Sequence, residues 1–342
     1  MSPRLNLAHG VVDMSHGGGG RAMARLIETL FLKHLDNELL RQGNDQARFA
    51  VAAGRMVMST DAHVIAPLFF PGGDIGSLAV HGTVNDVAMS GATPLYLSAA
   101  FILEEGFPLA ALERIVISMA KAARDAGVAV VCGDTKVVEK GKGDGCFITT
   151  AGLGVVPEGV NISGERARRG DAILVSGSVG DHGVAILSKR EHLEFDTAIE
   201  SDSAALNGLV ADMVRAVPDI HCLRDPTRGG LAATLNELAR QSRVGMQLQE
   251  SAIPVRREVA AACELLGLDP LYIANEGKLI AICAAEHADA LLTAMRHHPL
   301  GRNAAVIGRV IEDDHQLVQM ETAFGGQRVV DWLSGEQLPR IC

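Results

Sequence analysis

No run of Lys or Arg longer than two occurs in the 342 residues, and the formal charge is -10. A general binder of phosphate backbones needs a basic stripe, so nucleic acid is not the expected partner. The chain also lacks an uninterrupted apolar stretch of about 18 residues, and no basic segment followed by an apolar core opens it. Neither membrane spanning nor export is expected, and the cytoplasm is the expected location. The cysteines Cys132, Cys146, Cys222, Cys263, Cys283 and Cys342 never stand at the two-residue gap of structural zinc sites. Five of them read as small buried hydrophobes, and in a reducing compartment the sixth remains a free thiol. Two familiar nucleotide signatures are missing as well. Neither glycine-rich turn is followed by Gly-Lys-Ser or Gly-Lys-Thr, and neither has the spacing of a dinucleotide fingerprint.

What is present describes a folded enzyme. Apolar residues make up 48% and charged residues 21%, a globular balance, and the length suits about two domains. The 37 glycines cluster at 17–20, 72–76, 141–145 and 229–230, where backbone binds or turns tightly. Apolar spacing predicts helices over 21–40, 75–91, 108–126, 181–189, 204–217, 256–266 and 288–297, with another opening at 227–230. Strands are expected at 56–60, 95–103, 128–131, 146–156, 172–175, 246–248, 279–283, 305–310 and 316–320. Strands alternate with helices in both halves, which gives an α/β (α+β) class. The polar stretch 159–170 separates them. The expected organisation is a glycine-rich loop and helix at 1–40, an N-terminal domain at 41–158, a C-terminal domain at 168–322 and a flexible tail at 323–342.

Four acidic clusters are read as standing where a strand or turn gives way to a loop, around Asp61, Asn85-Asp86, Asp134-Thr135-Lys136 and Asp225-Pro226-Thr227-Arg228. Each aspartate taken singly is more often a cap or turn former. Together they suit magnesium, a hard cation that takes one or two carboxylates plus phosphate and water. The turns at 16–20 and 228–230 lead into helices, whose free N–H groups attract an anion. His16 reads as a hydrogen-bonding loop residue, since no second histidine lies at helical spacing.

The last residue is Cys342, a thiol on a chain end. An end is ordered only where something ties it down. The 11 steps from Asp331 to Cys342 span roughly 36 to 40 Å when extended, comparable to a domain's diameter. The tail is therefore expected to alternate between an inward and an outward position.

The strings 15–20, 59–61, 81–88, Gly133-Asp134-Thr135-Lys136-Val137, Asp225-Pro226-Thr227-Arg228-Gly229-Gly230, Asn275-Glu276-Gly277-Lys278 and Pro339-Arg340-Ile341-Cys342 closely resemble the HypE family. These are hydrogenase maturation factors of the ATP-binding superfamily that includes aminoimidazole ribonucleotide synthetase. The likeness spans nearly the whole chain, and the terminal string is its most specific part. It implies a two-domain aminoimidazole ribonucleotide synthetase-like fold, a homodimer formed through the N-terminal domain, and ATP with magnesium near the interface. In such a family the terminal cysteine receives a carbamoyl group from a carbamoyltransferase, HypF. An ATP-dependent dehydratase step then makes a thiocyanate, and the cyanide passes to a HypC–HypD iron complex for nickel-iron hydrogenase. The resemblance implies Cys342, Glu276 and Lys136 as catalytic residues, the last two as candidate bases. It implies Gly18, Gly19, Asn85, Asp134, Arg228 and Gly229 as the ATP contacts, and Asp61, Asp86, Asp134 and Asp225 as the metal set. One departure stands out. Relatives often have a serine within the first glycine run, whereas residues 17–20 here are all glycine.

Two other readings compete. A small-substrate kinase or synthetase of the same superfamily would not need Cys342, and selenophosphate synthesis is disfavoured because the first cysteine is Cys132. A metal-delivery scaffold would use Cys342 and His315.

Overall fold

The computed structural model describes residues 5–18, 20–42, 46–50, 54–193, 199–333, 338 and 340–342. A 3-10 turn over Met14–Gly17 is capped by Asp13, which accepts from the Ser15 N–H, while His16 Nδ1 accepts from the Asp13 N–H. Then follow α1 (Arg21–Leu26), a π-helical turn over Ile27–Phe31, and α2 (Leu32–Leu35). The helix foreseen over 21–40 thus ends early. Asn37 turns the chain, donating to the Val130 carbonyl and accepting from the N–H groups of Leu39 and Leu40.

The rest of this half comprises β1 (Arg55–His63), β2 (Phe69–Phe70), β3 (Gly73–Asp74), α3 (Ile75–Ala88), β4 (Thr93–Glu104), α4 (Leu109–Ala126), β5 (Ala129–Val138) and β6 (Cys146–Val156). Asp74 caps α3 by accepting from the N–H groups of Gly76 and Ser77. Gly127, at φ 71°, ends α4. One sheet runs β1-β6-β4-β5, antiparallel except for the parallel β4–β5 pair. Strand β6 alternates buried with half-buried residues, and α3 packs on one face of the sheet. The other face is open, with Met56, Met58 and Ile102 exposed.

The C-terminal half holds β7 (Ala172–Val175), α5 (Asp181–Arg190), α6 (Asn207–Ala216), β8 (Ile220–Arg224), α7 (Gly230–Ser242), β9 (Gly245–Gln249), α8 (Arg257–Leu266), β10 (Ile280–Cys283), α9 (Ala288–His297), β11 (Ala305–Ile311), β12 (Val318–Glu321) and β13 (Gln327–Val329). Its sheet runs β13-β12-β9-β11-β7-β10-β8. Strands β7 and β10 are buried throughout. Ile173, Val175, Ile280 and Ile282 pack toward Leu231 and Leu235 of α7, and Leu174 and Ala281 toward Leu209 and Leu291 of α6 and α9. Helices on both faces explain the continuous apolar runs. Strand β8 was not foreseen, because His221 and Cys222 interrupt its apolar pattern. His221 is nonetheless buried, bonded through Nδ1 to Asp171 at 2.7 Å.

Candidate active site

Strand β8 ends at Arg224 and delivers Asp225, Thr227 and Arg228 into a cleft of about 410 Å³. Ser59 of β1 and Asp86 of α3 form its opposite wall. The turn into α7 needs glycine at Gly229 and Gly230, which stand at φ 77° and 62°. A Cβ at Gly230 would fall 2.6 Å from the Ile273 carbonyl oxygen.

Only Asp225 of the four expected aspartates stands just past the end of its element. Asp61 lies within β1, Asp86 within α3 and Asp134 within β5, because β1 and β5 run further than their apolar cores suggested. Ser59 donates to Asp86 Oδ2 at 2.7 Å. Asp61 faces α3 where Gly82 leaves room, since a Cβ there would lie 3.2 Å from Asp61 Oδ2. Burial raises the pKa of Asp86, and the Asp61 charge adds to the rise. Burial, then Asp86, pushes Asp225 up to about 7.

Glu276 is only 3% exposed, and its Oε1 has no hydrogen-bond partner among the described residues. Burial first, then Asp225, Asp202, Asp61 and Asp86, raises its pKa well above the usual carboxylate range. Its backbone is held tightly. The N–H donates to Asp202 Oδ1 at 3.0 Å, and the carbonyl accepts from Asn85 Nδ2 at 3.3 Å. Asn85 also donates to the Ala204 carbonyl and accepts from the Leu206 N–H. Both ends of its amide are thus used to join α3 to the loops carrying Glu276 and Ala204.

The tail lies inward. Ile341 is 5% exposed, and Ile341 and Cys342 pack against the N-terminal core. A Cys342 main-chain oxygen accepts from the Val64 N–H at 3.0 Å, and the Arg340 carbonyl accepts from Ala66 N–H and Arg190 Nη2. Burial, then the negative charge of Glu276, pushes the Cys342 thiol pKa up, with Arg228 opposing. Cys342 is a free thiol of intermediate exposure in this position, with its ionised form disfavoured.

The anticipated set therefore divides. Asp61, Asp86, Asp225, Glu276, Arg228 and Cys342 share one electrostatic neighbourhood. Asp134 and Lys136 lie elsewhere, and strand pairing fixes why. Asp61 pairs with Thr150, Thr150 with Ala99 and Ala99 with Gly133, so these share the α3 face. Asp134 pairs with Ala100 and therefore points to the open face. There Lys136 Nζ meets Asp134 Oδ2 at 2.8 Å, with the two side chains 62% and 54% exposed. The glycine turn goes with this second group, since a Cβ on Gly17 would lie 2.7 Å from the Val137 nitrogen. Gly18 sits at the end of that turn, His16 is occupied in its cap, and Gly19 lies outside the described residues.

Among the described residues no three His, Cys, Asp or Glu side chains are grouped to hold a metal alone. The mutually repelling Asp61, Asp86 and Asp225 fit a magnesium ion that brings phosphate and water as its remaining ligands. His315 lies in the turn after β11, its N–H donating to Asp313 Oδ1 at 2.8 Å. No helix among the described residues is long and apolar enough to cross a membrane. Residues unforeseen in the sequence also shape the site, above all His182, Arg190 and Asp202. A histidine inside the apolar pattern of α5 and the turn-forming string Ser201-Asp202-Ser203 were the available signals.

Two family models cover the chain, the AIR synthase related protein N-terminal domain over 43–156 and its C-terminal domain over 168–321. The carbamoyl dehydratase HypE of Cupriavidus necator is 72% identical across 99% of this chain and 97% of its own length. A crystal structure of hydrogenase maturation protein HypE in complex with ATP superposes with a TM-score of 0.93 at 55% identity, covering 96% of this chain and 99% of that one. A HypE–HypF complex gives 0.80 at 49% identity, covering 90% and 99%. With both domains matched and relatives this similar along their full length, the chain belongs to the AIR synthase related family and, within it, to the carbamoyl dehydratase HypE group.

Proposed function

We propose that the chain dehydrates a carbamoyl group carried on its own Cys342 to a thiocyanate, consuming ATP. The observation that carries this reading is the inward Cys342 beside Glu276, a buried carboxylate with an oxygen unpartnered among the described residues. The ATP complex of a 55% identical relative supports the nucleotide, and the HypE–HypF complex supports HypF as the carbamoyl donor. Transfer of the cyanide to a HypC–HypD iron complex completes the reading.

The chemistry balances as follows. The oxygen of Cys342 S–C(=O)NH₂ attacks the terminal phosphoryl group of ATP, releasing ADP, and the nitrogen gives up one proton. Loss of phosphate with the second proton leaves Cys342 S–C≡N. Phosphorylation turns a poor leaving group into a good one. Proton removal needs a base beside the tail. Glu276 has the place for it, and its raised pKa strengthens it as an acceptor once it is ionised. Arg228, at the mouth of α7, is placed for phosphate oxygens. Magnesium, held by Asp61, Asp86 and Asp225, would neutralise charge on the phosphates.

Loading is different, because carbamoylation needs a thiolate nucleophile. The inward seat disfavours one, so the tail must leave it to be loaded and return to react. The open sheet face, where Met58 is 67% exposed, supports a homodimer. In that dimer Asp134, Lys136 and the glycine turn serve the partner subunit's site, which reconciles their separation here with the nucleotide-binding and base roles.

Phosphate release tests the reading. A chain charged by the carbamoyltransferase should release one phosphate per thiocyanate formed, and Cys342→Ser should release none. Equal release from both would refute it.

A further inference from the structure

The inward tail contacts a buried histidine that no step above uses. We propose that His182 is a positioning residue for the reaction, its Nε2–H holding the Ile341 carbonyl and so fixing where Cys342 presents its cargo to Glu276. His182 of α5 is 0% exposed, and its Nε2 lies 2.6 Å from the Ile341 oxygen. A carbonyl only accepts, so the proton is on Nε2. Burial lowers the imidazole pKa, which keeps the ring neutral and leaves Nδ1 as an acceptor. Nδ1 lies 2.8 Å from Ser201 Oγ, which in turn accepts from the Ser203 N–H at 3.1 Å. The donors thus run one way, from Ser203 N–H through Ser201 and His182 to Ile341, and each bond polarises the next. The edge of the imidazole also meets Phe70 at 5.7 Å between ring centres and 88° between planes.

What makes this more than an anchor is the residue between the two serines. Asp202 accepts from the Glu276 N–H at 3.0 Å and from Lys278 Nζ at 2.9 Å. Ser203 Oγ contacts His81 Nδ1 of α3 at 2.9 Å, and α3 also bears Asp86. Three consecutive residues thereby hold the tail's imidazole, the base's backbone and the carboxylate-bearing helix. The segment itself has no slack. The Ser201 N–H donates to the Pro71 carbonyl at 2.9 Å, and a Cβ on Gly277 would lie 1.7 Å from the Asp202 oxygen. Fixing the Ile341 carbonyl fixes the peptide plane that begins Cys342, and Val64 holds the residue's other end. Only the side-chain torsions then remain to place the sulfur.

This deepens the function proposed above, but its first test needs neither ATP nor a carbamoyl group, so the two fail separately. The full chain is treated with iodoacetamide, and each cysteine peptide is followed by mass spectrometry. His182→Phe keeps ring volume without a donor and should speed Cys342 alkylation about tenfold. His182→Gln retains an N–H donor and should stay near the parent rate. The buried Cys146, Cys222, Cys263 and Cys283 should stay unlabelled in both variants, reporting an intact fold. An unchanged Cys342 rate in a His182→Phe chain whose four buried thiols stay unlabelled overturns the proposal. Should His182→Phe not fold, Ser201→Ala should give about a threefold acceleration, and no change there overturns it equally. On the carbamoylated chain, His182→Phe should lower kcat with the KM for ATP unchanged, and a change in KM alone would contradict positioning.

Discussion

The two faces of the N-terminal sheet carry the same kinds of side chain in opposite conditions. On one face Asp61 stands with Asp86 of α3 and Asp225 beyond it, where burial and neighbouring like charges raise the pKa of Asp86 and Asp225, beside a buried Glu276 whose pKa is raised as well. On the other, Asp134 is exposed and paired with Lys136, whose hydrogen bond holds its carboxyl pKa below the usual value. The first arrangement stores unmet demand for a cation and a substrate, and the second is locally satisfied. Each face of this chain therefore holds only part of the set expected for the site.

Glu276→Gln should break the buried side most severely. A missing general base costs about 10² to 10⁴-fold in rate, while binding of ATP, followed by calorimetry, should persist. Normal turnover would remove Glu276 from the chemistry. The open side is tested next. Met56→Asp, on the open face but outside the cleft lining, should dissociate the proposed dimer in size-exclusion chromatography and lower turnover about 10²-fold. Mixing Lys136→Ala with Cys342→Ser chains should restore part of the activity if the two faces work across subunits. No rescue would confine Lys136 to its own protomer.

Stability sharpens the contrast further. Burial lowers the His81 pKa from 6.5 to about 4. In that window the unfolded chain binds the proton more readily than the folded one, so this contribution is full above about pH 6.5 and is lost as pH falls toward 4. Between pH 7 and 5 the parent should lose about 2 kcal/mol that His81→Asn does not, measurable as converging denaturation midpoints. The smallest effect separates the aspartates themselves. In chelator, Asp225→Asn should raise stability by about 1 kcal/mol by removing a buried, repelled charge. Asp134→Asn should stay within about 0.5 kcal/mol, since it loses only an exposed pair. Equal shifts would erase the distinction.

Most of the fold could be read from apolar periodicity. The strand over 172–175 and the helix over 288–297 appear as expected, and the strand over 146–156 alternates along its whole length. The site was less legible, because a strand's polar continuation looks like a loop. Asp61 and Asp134 were read as loop residues, yet backbone pairing carries β1 and β5 through them. Once both lie in strands, pairing places them on opposite faces, a relation that separate motifs do not show. Strand β8 was hidden by a histidine and a cysteine that are satisfied inside the core. The 201–203 segment had no periodicity to mark it, since its importance lies in long-range hydrogen bonds to His182, Glu276 and His81.

The central claim is that Cys342 itself carries the reacting group, and the mass of the C-terminal peptide tests it most directly. Incubated with carbamoyl phosphate, ATP and the carbamoyltransferase, that peptide should first gain a carbamoyl group at Cys342 and then lose one water. A full conversion in which the Cys342 peptide never changes mass would contradict the account.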